Sequence, residues 1–349
     1  MTRILAIESS CDETAIAILR GSDSRLVLEK NLIYSQVNIH KKYGGVIPEV
    51  AARKHLQTII PLLNEAVGKD KLKNIDYLAV TVGPGLITSL LLGVATAKTL
   101  AYAAQKPLLA INHLEGHIYS NWLTHQDLVD NTEKYLPAIV LVVSGGHTEL
   151  VLMRGHGQYQ LLGQTLDDAV GEAFDKVAKL LSLGYPGGPV VSHWAISGQA
   201  DKFLLPRPMI NTQDFDFSLS GLKTAVLYIL EKKKHISQLD VADICASFEQ
   251  AIVEVLVKKT IGAAKKYRAK SIMLAGGVAA NVRLQVSLAD AAREIDTPFF
   301  APLKSLTGDN AAMIAAAAYY RLASHSSKGL GGQKLFFLEP DANWQLSKK

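Results

Sequence analysis

Two histidines four residues apart and a distant aspartate are the residues best suited to chemistry in this sequence. His113 and His117 lie in a His-Leu-Glu-Gly-His segment, and Asp309 lies where a new helix is predicted to begin. Side chains at i and i+4 of an α-helix are only about 40° apart, so both rings can face one ion. Two histidines and a carboxylate are a common ligand set for catalytic zinc or iron(II), because coordination positions stay open for water or substrate. The spacing predicts a metal site, although such histidine pairs also occur on helices without a metal.

Length and composition favour a protein of two domains or lobes. A chain of 349 residues exceeds what one hydrophobic core usually supports, and 48% of its residues are hydrophobic. No uninterrupted apolar run reaches the roughly 18 residues of a membrane span, and the start is not that of a signal or transit peptide. Cys11 and Cys245 are too few for a disulfide framework and are more typical of buried thiols. These features predict a cytoplasmic protein that is not inserted in a membrane.

The positive charge permits nucleic-acid binding but does not by itself predict it. The chain has 37 basic and 32 acidic residues, so its formal net charge is only +5. The densest basic stretch runs from Lys258 to Lys270. A stretch of this kind is either a solvated helix face or a surface for phosphates.

The metal-site residues must be positioned by an α/β framework, and the apolar pattern indicates an internally duplicated one. Residues 4–19 alternate strand, polar turn and strand, and residues 138–152 repeat this pattern about 135 positions later. Each hairpin is followed by helical and strand-like segments. We therefore expect two similar α/β lobes with an interlobe cleft as the natural site.

Glycine turns follow three of the predicted strands. Residues 271–281 read as an apolar strand, Gly276-Gly277, and a helix start, a geometry that offers backbone N–H groups to phosphate or adenosine.

A long alanine-rich helix is expected from about 310 to 323, with an irregular tail behind it. A further helix around Asp175 is expected to place Leu166 on its apolar face and Asp168 on its polar face.

Ten motifs along almost the whole chain resemble those of one family. The motifs are ESSCDET at 8–14, GVIPEV at 45–50, GPGL at 83–86, NHLEGH at 112–117, SGGHT at 144–148, GEAFDK at 171–176, YPGGP at 185–189, FSLSGLK at 217–223, GGV at 276–278 with Asn281, and GDN at 308–310. This pattern resembles the TsaD (Gcp/YgjD) family, the tRNA N6-adenosine threonylcarbamoyltransferases. His147 makes the sequence similar to the bacterial branch.

The resemblance implies a fold and an activity. It implies the duplicated α/β actin/Hsp70/sugar-kinase (ASKHA) fold, with an N-terminal lobe at 1–130, a C-terminal lobe at 131–309, and a return helix and tail at 310–349 packing on the lobes. It also implies transfer of threonylcarbamoyl from threonylcarbamoyl-adenylate to N6 of the adenosine beside the anticodon. The tRNAs would be those reading codons that start with A, and the by-product would be AMP.

Site residues follow from the same resemblance, position by position. The metal ligands would be His113, His117 and Asp309, with one divalent ion per subunit, iron(II) first and zinc as the alternative. The implied substrate contacts are Val142, Val143, Ser144, Gly145, Gly146, Asp175, Gly188 and Asn281.

Physical chemistry supports these assignments separately. A metal ion could polarise the carbamoyl carbonyl, and backbone donors of the Ser144-Gly145-Gly146 turn could stabilise the developing oxyanion. Asp175 could hold a ribose hydroxyl. Asp12, Glu13 and Thr14 form a polar turn whose role is either catalytic or only local hydrogen bonding, and no residue is singled out as a general base.

The resemblance also implies partners: tRNA, a TsaB-like paralogue and a TsaE-like ATPase, with the adenylate made by a separate TsaC synthase. Three other interpretations remain open at this stage. An ASKHA sugar kinase or ATPase leaves the histidine pair unexplained, and a non-catalytic scaffold would bind partners through apolar surfaces. A metalloprotease is disfavoured, because Glu115 lies about 200° around the helix from His113 rather than directly after it.

Overall fold

Two five-stranded sheets with the same strand succession organise the chain. The computed structural model describes residues 1–68, 72–233, 235–324, 329 and 331–347. The first sheet has the order β3-β2-β1-β4-β5, and the second, read from its other edge, has the order β8-β7-β6-β9-β10. The ten strands are β1 Thr2–Glu8, β2 Glu13–Ser22, β3 Arg25–Ser35, β4 Tyr77–Gly83, β5 Leu108–Asn112, β6 Ala138–Val143, β7 Thr148–Gly155, β8 Gln158–Gln164, β9 Ser271–Ala275 and β10 Phe299–Phe300. The predicted duplication is thus confirmed at the level of topology.

Helices connect and cover the strands in both halves. The described α-helices are α1 Val37–His40, α2 Pro48–Val67, α3 Ile87–Ala104, α4 His113–Thr124, α5 Gln126–Asp130, α6 Thr132–Tyr135, α7 Val170–Leu180, α8 Gly187–Ala195, α9 Ser220–Lys232, α10 Gln238–Tyr267, α11 Val282–Arg293 and α12 Ala311–Ala323. The three predicted glycine or polar turns lie at β1–β2, at β6–β7 and after β9. The predicted α/β class is therefore correct.

The two predicted hairpins form as antiparallel pairs. In the first, Glu8 of β1 lies opposite Ala15 of β2, and in the second, Val143 of β6 lies opposite Thr148 of β7. The strands β1 and β6 are almost fully buried because parallel neighbours, β4 and β9, pair on their other edges. Central strands of this kind read as continuous apolar runs.

Contacts divide the described residues into two compact units. The first contains Met1–Lys134, the hairpin tip Arg154–Tyr159 and the described residues from Pro302 onward. The second contains Tyr135–Met153 and Gln160–Ala301. Both α4 and α12 therefore belong to the first unit. The domain limits expected from the sequence stay a prediction, and their residues 69–71, 234, 325–328, 330, 348 and 349 lie outside the described part.

The first unit has its core between the β1–β5 sheet and the helices α2 and α3. Ile7, Val80 and Leu63 are among the side chains buried there. By length and composition alone, α3 is the one helix of the described residues that could cross a membrane. Its Val94 and Ala97 belong to the same core.

The second unit builds its core around the long helix α10. The aromatic rings of Phe174 and Phe248 meet edge to face at 5.2 Å between α7 and α10. Ser237 begins α10 with a capping box, in which its hydroxyl accepts from the Asp240 N–H and the Asp240 carboxylate accepts from the Ser237 N–H. Burial of such paired apolar faces is the main stabilising contribution in a domain of this size.

One detail of the predicted helix around Asp175 is wrong. The helix begins only at Val170, so Leu166 and Asp168 precede it, and Leu166 is 62% exposed. The segment before it is held in extended form, because Thr165 bridges Phe217. The neighbouring Asp167 carboxylate accepts the backbone N–H groups of residues 219 and 220. These non-local bonds override the local helical pattern.

Candidate metal centre

Helix α4 presents the two histidines because its first residue is fixed by a side-chain cap. Asn112 ends β5, and its Oδ1 accepts the N–H groups of Leu114 and Glu115 at 2.9 and 3.3 Å. This cap satisfies donors that a helix start otherwise leaves unpaired. The helix thus begins at His113, and His117 lies one turn further along the same face.

Asp309 is placed by the start of α12. Asn310 caps that helix by accepting the Met313 N–H at 3.0 Å, and its amide donates to the Gly308 carbonyl at 2.7 Å. The bonds on both sides of Asp309 hold the turn in which it lies. Asp309 Oδ1 lies 3.4 Å from His113 Nε2 and 3.2 Å from His117 Nε2. Residues 192 positions apart in sequence thus meet within one unit.

The three side chains form a compact, largely buried cluster. One ligand atom from each lies within 4.8 Å of the others, and the imidazole centroids are 4.6 Å apart in an edge-on arrangement. His117 is fully buried, His113 is 6% exposed, and the Asp309 side chain is 19% exposed. The opening therefore lies on the Asp309 side of the cluster.

Glu8 is a member of this site that the sequence analysis did not assign. It ends β1, is fully buried, and its Oε2 lies 3.2 Å from His113 Nδ1. Ser10 N–H and the Thr81 hydroxyl both donate to the Glu8 carboxylate at 2.5 Å. A charged residue closing an otherwise apolar central strand was the signal that could have identified it. Glu8 orients the His113 ring so that Nε2 faces Asp309.

Charges inside the cluster shift the protonation of its members. Burial alone would lower the pKa of His113, but the carboxylates of Asp309 and Glu8 raise this pKa well above its ordinary range. Burial would raise the pKa of Asp309, but the imidazole of His113 lowers it strongly. His117 has a lowered pKa, because burial disfavours its cationic form. The cluster therefore favours ionised carboxylates at Glu8 and Asp309 around His113, which is readily protonated.

The donor set fits a divalent metal ion. Two imidazole nitrogens and one carboxylate oxygen converge, as iron(II) and zinc sites require. Within the described part of the chain, neither buried ring nitrogen of His117 has a hydrogen-bond partner, and its Nε2 is the one that faces Asp309. A carboxylate behind a ligating imidazole, as Glu8 is behind His113, is the common outer support of such ligands. The site has the ligand types, proximity and support that a metal needs.

Glu115 argues against a zinc protease. Its carboxylate is fully buried and lies 2.6 Å from the guanidinium of Arg321, on the opposite side of α4 from the histidines. A general base must reach a water on the metal, which this glutamate does not do. The disfavoured protease interpretation thereby loses the base that the histidine segment itself offered.

The glycine turn after β6 is open, as a backbone binding surface requires. Gly145 and Gly146 are exposed, and a Cβ built on either would have no neighbour within 4 Å. The Ser144 N–H is already donated to the His147 carbonyl at 2.9 Å. Val142 and Val143 are fully buried, so only their backbone could contact a substrate. Donors for an oxyanion would therefore come from the two glycines.

The remaining predicted contacts lie in the second unit and already make internal bonds. Asp175 accepts the Gly187 N–H at 2.6 Å, next to Gly188, whose Cα faces open space. Asn281 caps α11 by accepting the Leu284 N–H, and its amide donates to the buried Glu249 at 2.7 Å. Since both side chains are fixed by these bonds, each could present its remaining polar groups in a defined direction.

The thiols do not form a second catalytic group. Burial, with Asp12 and Asp309 nearby, raises the pKa of Cys11 well above its usual range. Burial also raises the pKa of Cys245 to about 12. A nucleophilic cysteine needs the opposite shift.

Solved structures with the same arrangement define the class of the protein. Over 93% of this chain, the structure resembles the crystal structure of T. kodakarensis HypF with a TM-score of 0.61 and 14% identity. A full-length HypF in its phosphate- and nucleotide-bound form gives the same score over 94% of the chain. The chain spans about half the length of those proteins, 48% and 47%. It is thus a duplicated α/β protein of the actin/Hsp70/sugar-kinase fold, distinguished by a two-histidine, one-aspartate cluster.

The sequence comparisons give the family. The family model for TsaD, tRNA N6-adenosine threonylcarbamoyltransferase, matches residues 27–316. The chain is 50% identical to the protein of that name from Thermomicrobium roseum, with 91% of each chain covered, and 49% identical to that from Syntrophomonas wolfei, with 93% covered. This chain belongs to the TsaD family.

Proposed function

We propose that this chain transfers a threonylcarbamoyl group from threonylcarbamoyl-adenylate to N6 of adenosine 37, beside the anticodon, in tRNAs that read codons starting with A. The observation that supports this most is about 50% identity over more than nine tenths of the chain to relatives named for that activity. In the reaction, N6 bonds to the carbamoyl carbon and loses a proton. The bond from that carbon to the phosphate oxygen breaks, and AMP leaves.

The metal centre is part of the proposal, with one divalent ion per subunit. Iron(II) is the first expectation and zinc the alternative, held by His113, His117 and Asp309. When bound, the ion would supply Lewis-acid polarisation and an anchor for the substrate. The convergence of three ligand atoms within 4.8 Å supports this role. Glu8 keeps the His113 ring in one orientation, and the burial of His117 excludes water from the protein side.

The second unit would bind the adenylate. The exposed N–H groups of Gly145 and Gly146 would stabilise negative charge on the attacked carbonyl, and a side chain at either position would obstruct their approach. Asp175 would accept a ribose hydroxyl, and Gly188 leaves room for the nucleoside beside it. Asn281 would orient the ligand through its amide. The open space at the glycines and the fixed geometry of the two polar side chains support these roles.

Partners and location complete the proposal. The enzyme would act in the cytoplasm on tRNA, with a TsaB-like paralogue and a TsaE-like ATPase, and with adenylate made by a separate synthase. Exposed apolar side chains one turn apart on α2, Leu56 and Ile60, support a protein partner. Exposed Lys265 and Lys266 on α10 support contact with a polyanion.

Reconstitution tests the function. Unmodified tRNA, threonine, bicarbonate, ATP and the partner proteins are combined with the chain, and the digested nucleosides are analysed by mass spectrometry. We expect threonylcarbamoyladenosine with the wild type and its loss, by at least about a hundredfold, with His113→Ala or Asp309→Ala. Loss of a ligand would remove the ion that polarises the carbonyl, and losing one such electrostatic contribution slows a reaction by about 100- to 1,000-fold.

The control is His235→Ala, which changes an exposed histidine outside the cluster. It should leave product formation unchanged. Full activity of His113→Ala or Asp309→Ala would refute the metal centre. Absence of the nucleoside with the wild type, while a known family member is active with the same partners, would refute the transferase activity and favour an ATP-dependent kinase of the same fold.

A further inference from the structure

The glutamate between the two histidines makes a buried ion pair with the last turn of α12. Glu115 Oε2 lies 2.6 Å from an Nη of Arg321, and Glu115 Oε1 accepts the Tyr159 hydroxyl at 3.1 Å. Glu115 is fully buried and Tyr159 is half-buried in the first unit. Because two residues along a helix turn the side chain by about 200°, α4 directs its histidines to one side and Glu115 to the other.

The same helix, α12, contacts α4 on both sides of this arrangement. Asp309 lies two residues before α12 and meets the histidines, whereas Arg321 lies in its last turn and meets Glu115. The part of α12 from Ala311 to Arg321 is about 15 Å long, at 1.5 Å per residue. Helix α4 is thus tied to α12 at two distant points, and one of them is the ligand cluster.

Between these points the helices approach closely at Gly116. A Cβ at this position would lie 2.7 Å from Ile314 Cδ1 and 3.1 Å from Met313 Cγ. Glycine therefore allows the contact, but it has no side chain that could fix the rotation of α4 about its axis. The Glu115–Arg321 pair supplies a directional contact at this crossing.

Arg321 is itself held by two further elements. Its guanidinium donates to the Ala110 carbonyl of β5 at 2.8 Å, and its Cζ lies 5.7 Å from the centroid of the Trp344 ring. The Trp344 carbonyl accepts the amide of Asn112, the cap of α4, at 2.9 Å. The cation that pairs with Glu115 is thus fixed by the strand before α4 and by the C-terminal segment.

We propose that Glu115 and Arg321 are positioning residues for the metal centre. Their buried pair fixes the rotation of α4 against α12, so that His113 and His117 converge on Asp309. This inference rests on the metal centre of the proposed function. It assigns to Glu115 a role through its neighbours, since its carboxylate points away from the ligand cluster. Ligand distances in metal sites are restricted to within about 0.2 Å, so a small rotation of α4 would weaken binding.

The test measures cobalt(II) binding by the full chain, using the visible absorption of the bound ion, and the melting temperature of the metal-free protein. The variant Glu115→Gln keeps the size and an acceptor for Tyr159 but removes the charge. The matched control is Ile59→Ala, a buried change on α2 away from this crossing. We expect Glu115→Gln to bind cobalt at least about tenfold more weakly and with an altered spectrum, as loss of outer-shell support does. The control should lose stability but keep the wild-type affinity and spectrum.

A second series keeps the test decisive if Glu115→Gln does not fold. Arg321→Lys keeps the positive charge, and Tyr159→Phe removes only one hydrogen bond to Glu115. Each variant should therefore weaken cobalt binding by about threefold, which is less than the effect of Glu115→Gln. Unchanged affinity and spectrum in all folded variants, or the same change in Ile59→Ala, would overturn the positioning role and leave the metal centre intact. Failure of the wild type to bind cobalt, zinc or iron(II) would overturn both.

Discussion

Glu8 closes β1 with a buried carboxylate that accepts hydrogen bonds from Ser10 and Thr81 and faces His113. Because its Oε2 lies 3.2 Å from His113 Nδ1, it favours the ring orientation in which Nε2 faces Asp309. We expect Glu8→Gln to weaken metal binding by about 10- to 100-fold, since outer-shell carboxylates have effects of this size. Titration with zinc(II) against a competing chelator measures the change.

The control for this prediction is Glu29→Gln, at an ion pair with Arg3 on the same sheet. It removes a carboxylate from the first unit without touching the cluster. If Glu8→Gln binds zinc as tightly as the control Glu29→Gln does, Glu8 has only a structural role at the end of β1.

Glu149 provides a prediction of pH dependence in the second unit. It lies on β7 opposite Val142, and burial raises its pKa to about 7, from 4.5. Between pH 4.5 and about 7, Glu149 is ionised in the unfolded chain but still protonated in the folded chain. Rising pH therefore lowers the free energy of unfolding over this range. Glu149→Gln should therefore be more stable than the wild type at pH 8, by on the order of 1–2 kcal/mol, and equally stable at pH 4.

Urea denaturation at the two pH values measures this difference. The exposed Glu231→Gln should leave stability unchanged at both. A gain for Glu149→Gln that is as large at pH 4 as at pH 8 would attribute the effect to packing instead of charge.

At the scale of single residues, the sequence points to the three proposed ligands but not to the residues that support them. His113 and His117 follow from helical spacing, and Asp309 follows from its position before a predicted helix and from family resemblance. Glu115 was correctly expected to face away from the ion, but Arg321 could not be identified as its partner. The two are 206 positions apart, and no local periodicity relates them.

Among the helices, α10 shows that a basic stretch is not uniformly a surface. Lys259 is only 4% exposed and donates to the Thr212 hydroxyl and the Asp214 carbonyl at 2.9 and 3.0 Å. Lys258 donates to Asn211 at 2.8 Å. These two lysines bond to the loop before α9, and of the four lysines at 258, 259, 265 and 266 only Lys259 is buried. The predicted tRNA contact is therefore restricted to part of the stretch.

The double variant Lys265→Glu, Lys266→Glu tests that contact. We expect weaker tRNA binding at low salt, a smaller loss at high salt, and a salt slope reduced by about one for each phosphate contact removed. The matched pair Lys41→Glu, Lys42→Glu changes two adjacent exposed lysines of the first unit. Equal losses in the two double variants, measured by filter binding, would contradict a particular role for α10.

Secondary structure was predictable where local and tertiary preferences agree. The β1–β2 and β6–β7 hairpins and α12 follow from apolar periodicity, polar turns and a capping asparagine. The start of α7 was not predictable, because Asp167 is drawn to backbone N–H groups more than 50 residues later. Propensity at such a point is overridden by hydrogen bonds that a sequence window does not contain.

For the whole molecule, the location of the cluster in the first unit predicts which part of the structure a bound metal stabilises. Binding to the folded state alone adds about 2.7 kcal/mol at a metal concentration one hundred times Kd. We expect zinc to slow hydrogen exchange in α4, α12 and the segment around Trp344, and a chelator to reverse this. Exchange in β6 and β9 should stay the same.

Equal protection of both units, or none, would contradict this prediction. The metal-free protein at the same ionic strength is the control. His113→Ala should show no zinc effect in any of these segments.

The duplicated architecture was predictable because both halves repeat the same strand pattern. Which segments make up the first unit was not predictable, because its contacts join three separate parts of the chain. The tip Arg154–Tyr159 belongs with the first unit although its strands begin in the second sheet. His156 of this tip stacks on Tyr320 of α12 at 4.2 Å between ring centroids.

This discontinuity sets an order of events during synthesis on the ribosome. His113 and His117 leave the exit tunnel long before Asp309, and the whole of Gln160–Ala301 is made in between. The second unit is complete once Ala301 has emerged, whereas the contacts of α4 with Asp309 and α12 can form only later. A nascent chain therefore holds the two histidines of the cluster without the aspartate, and it acquires the complete cluster only as a late step of its biogenesis.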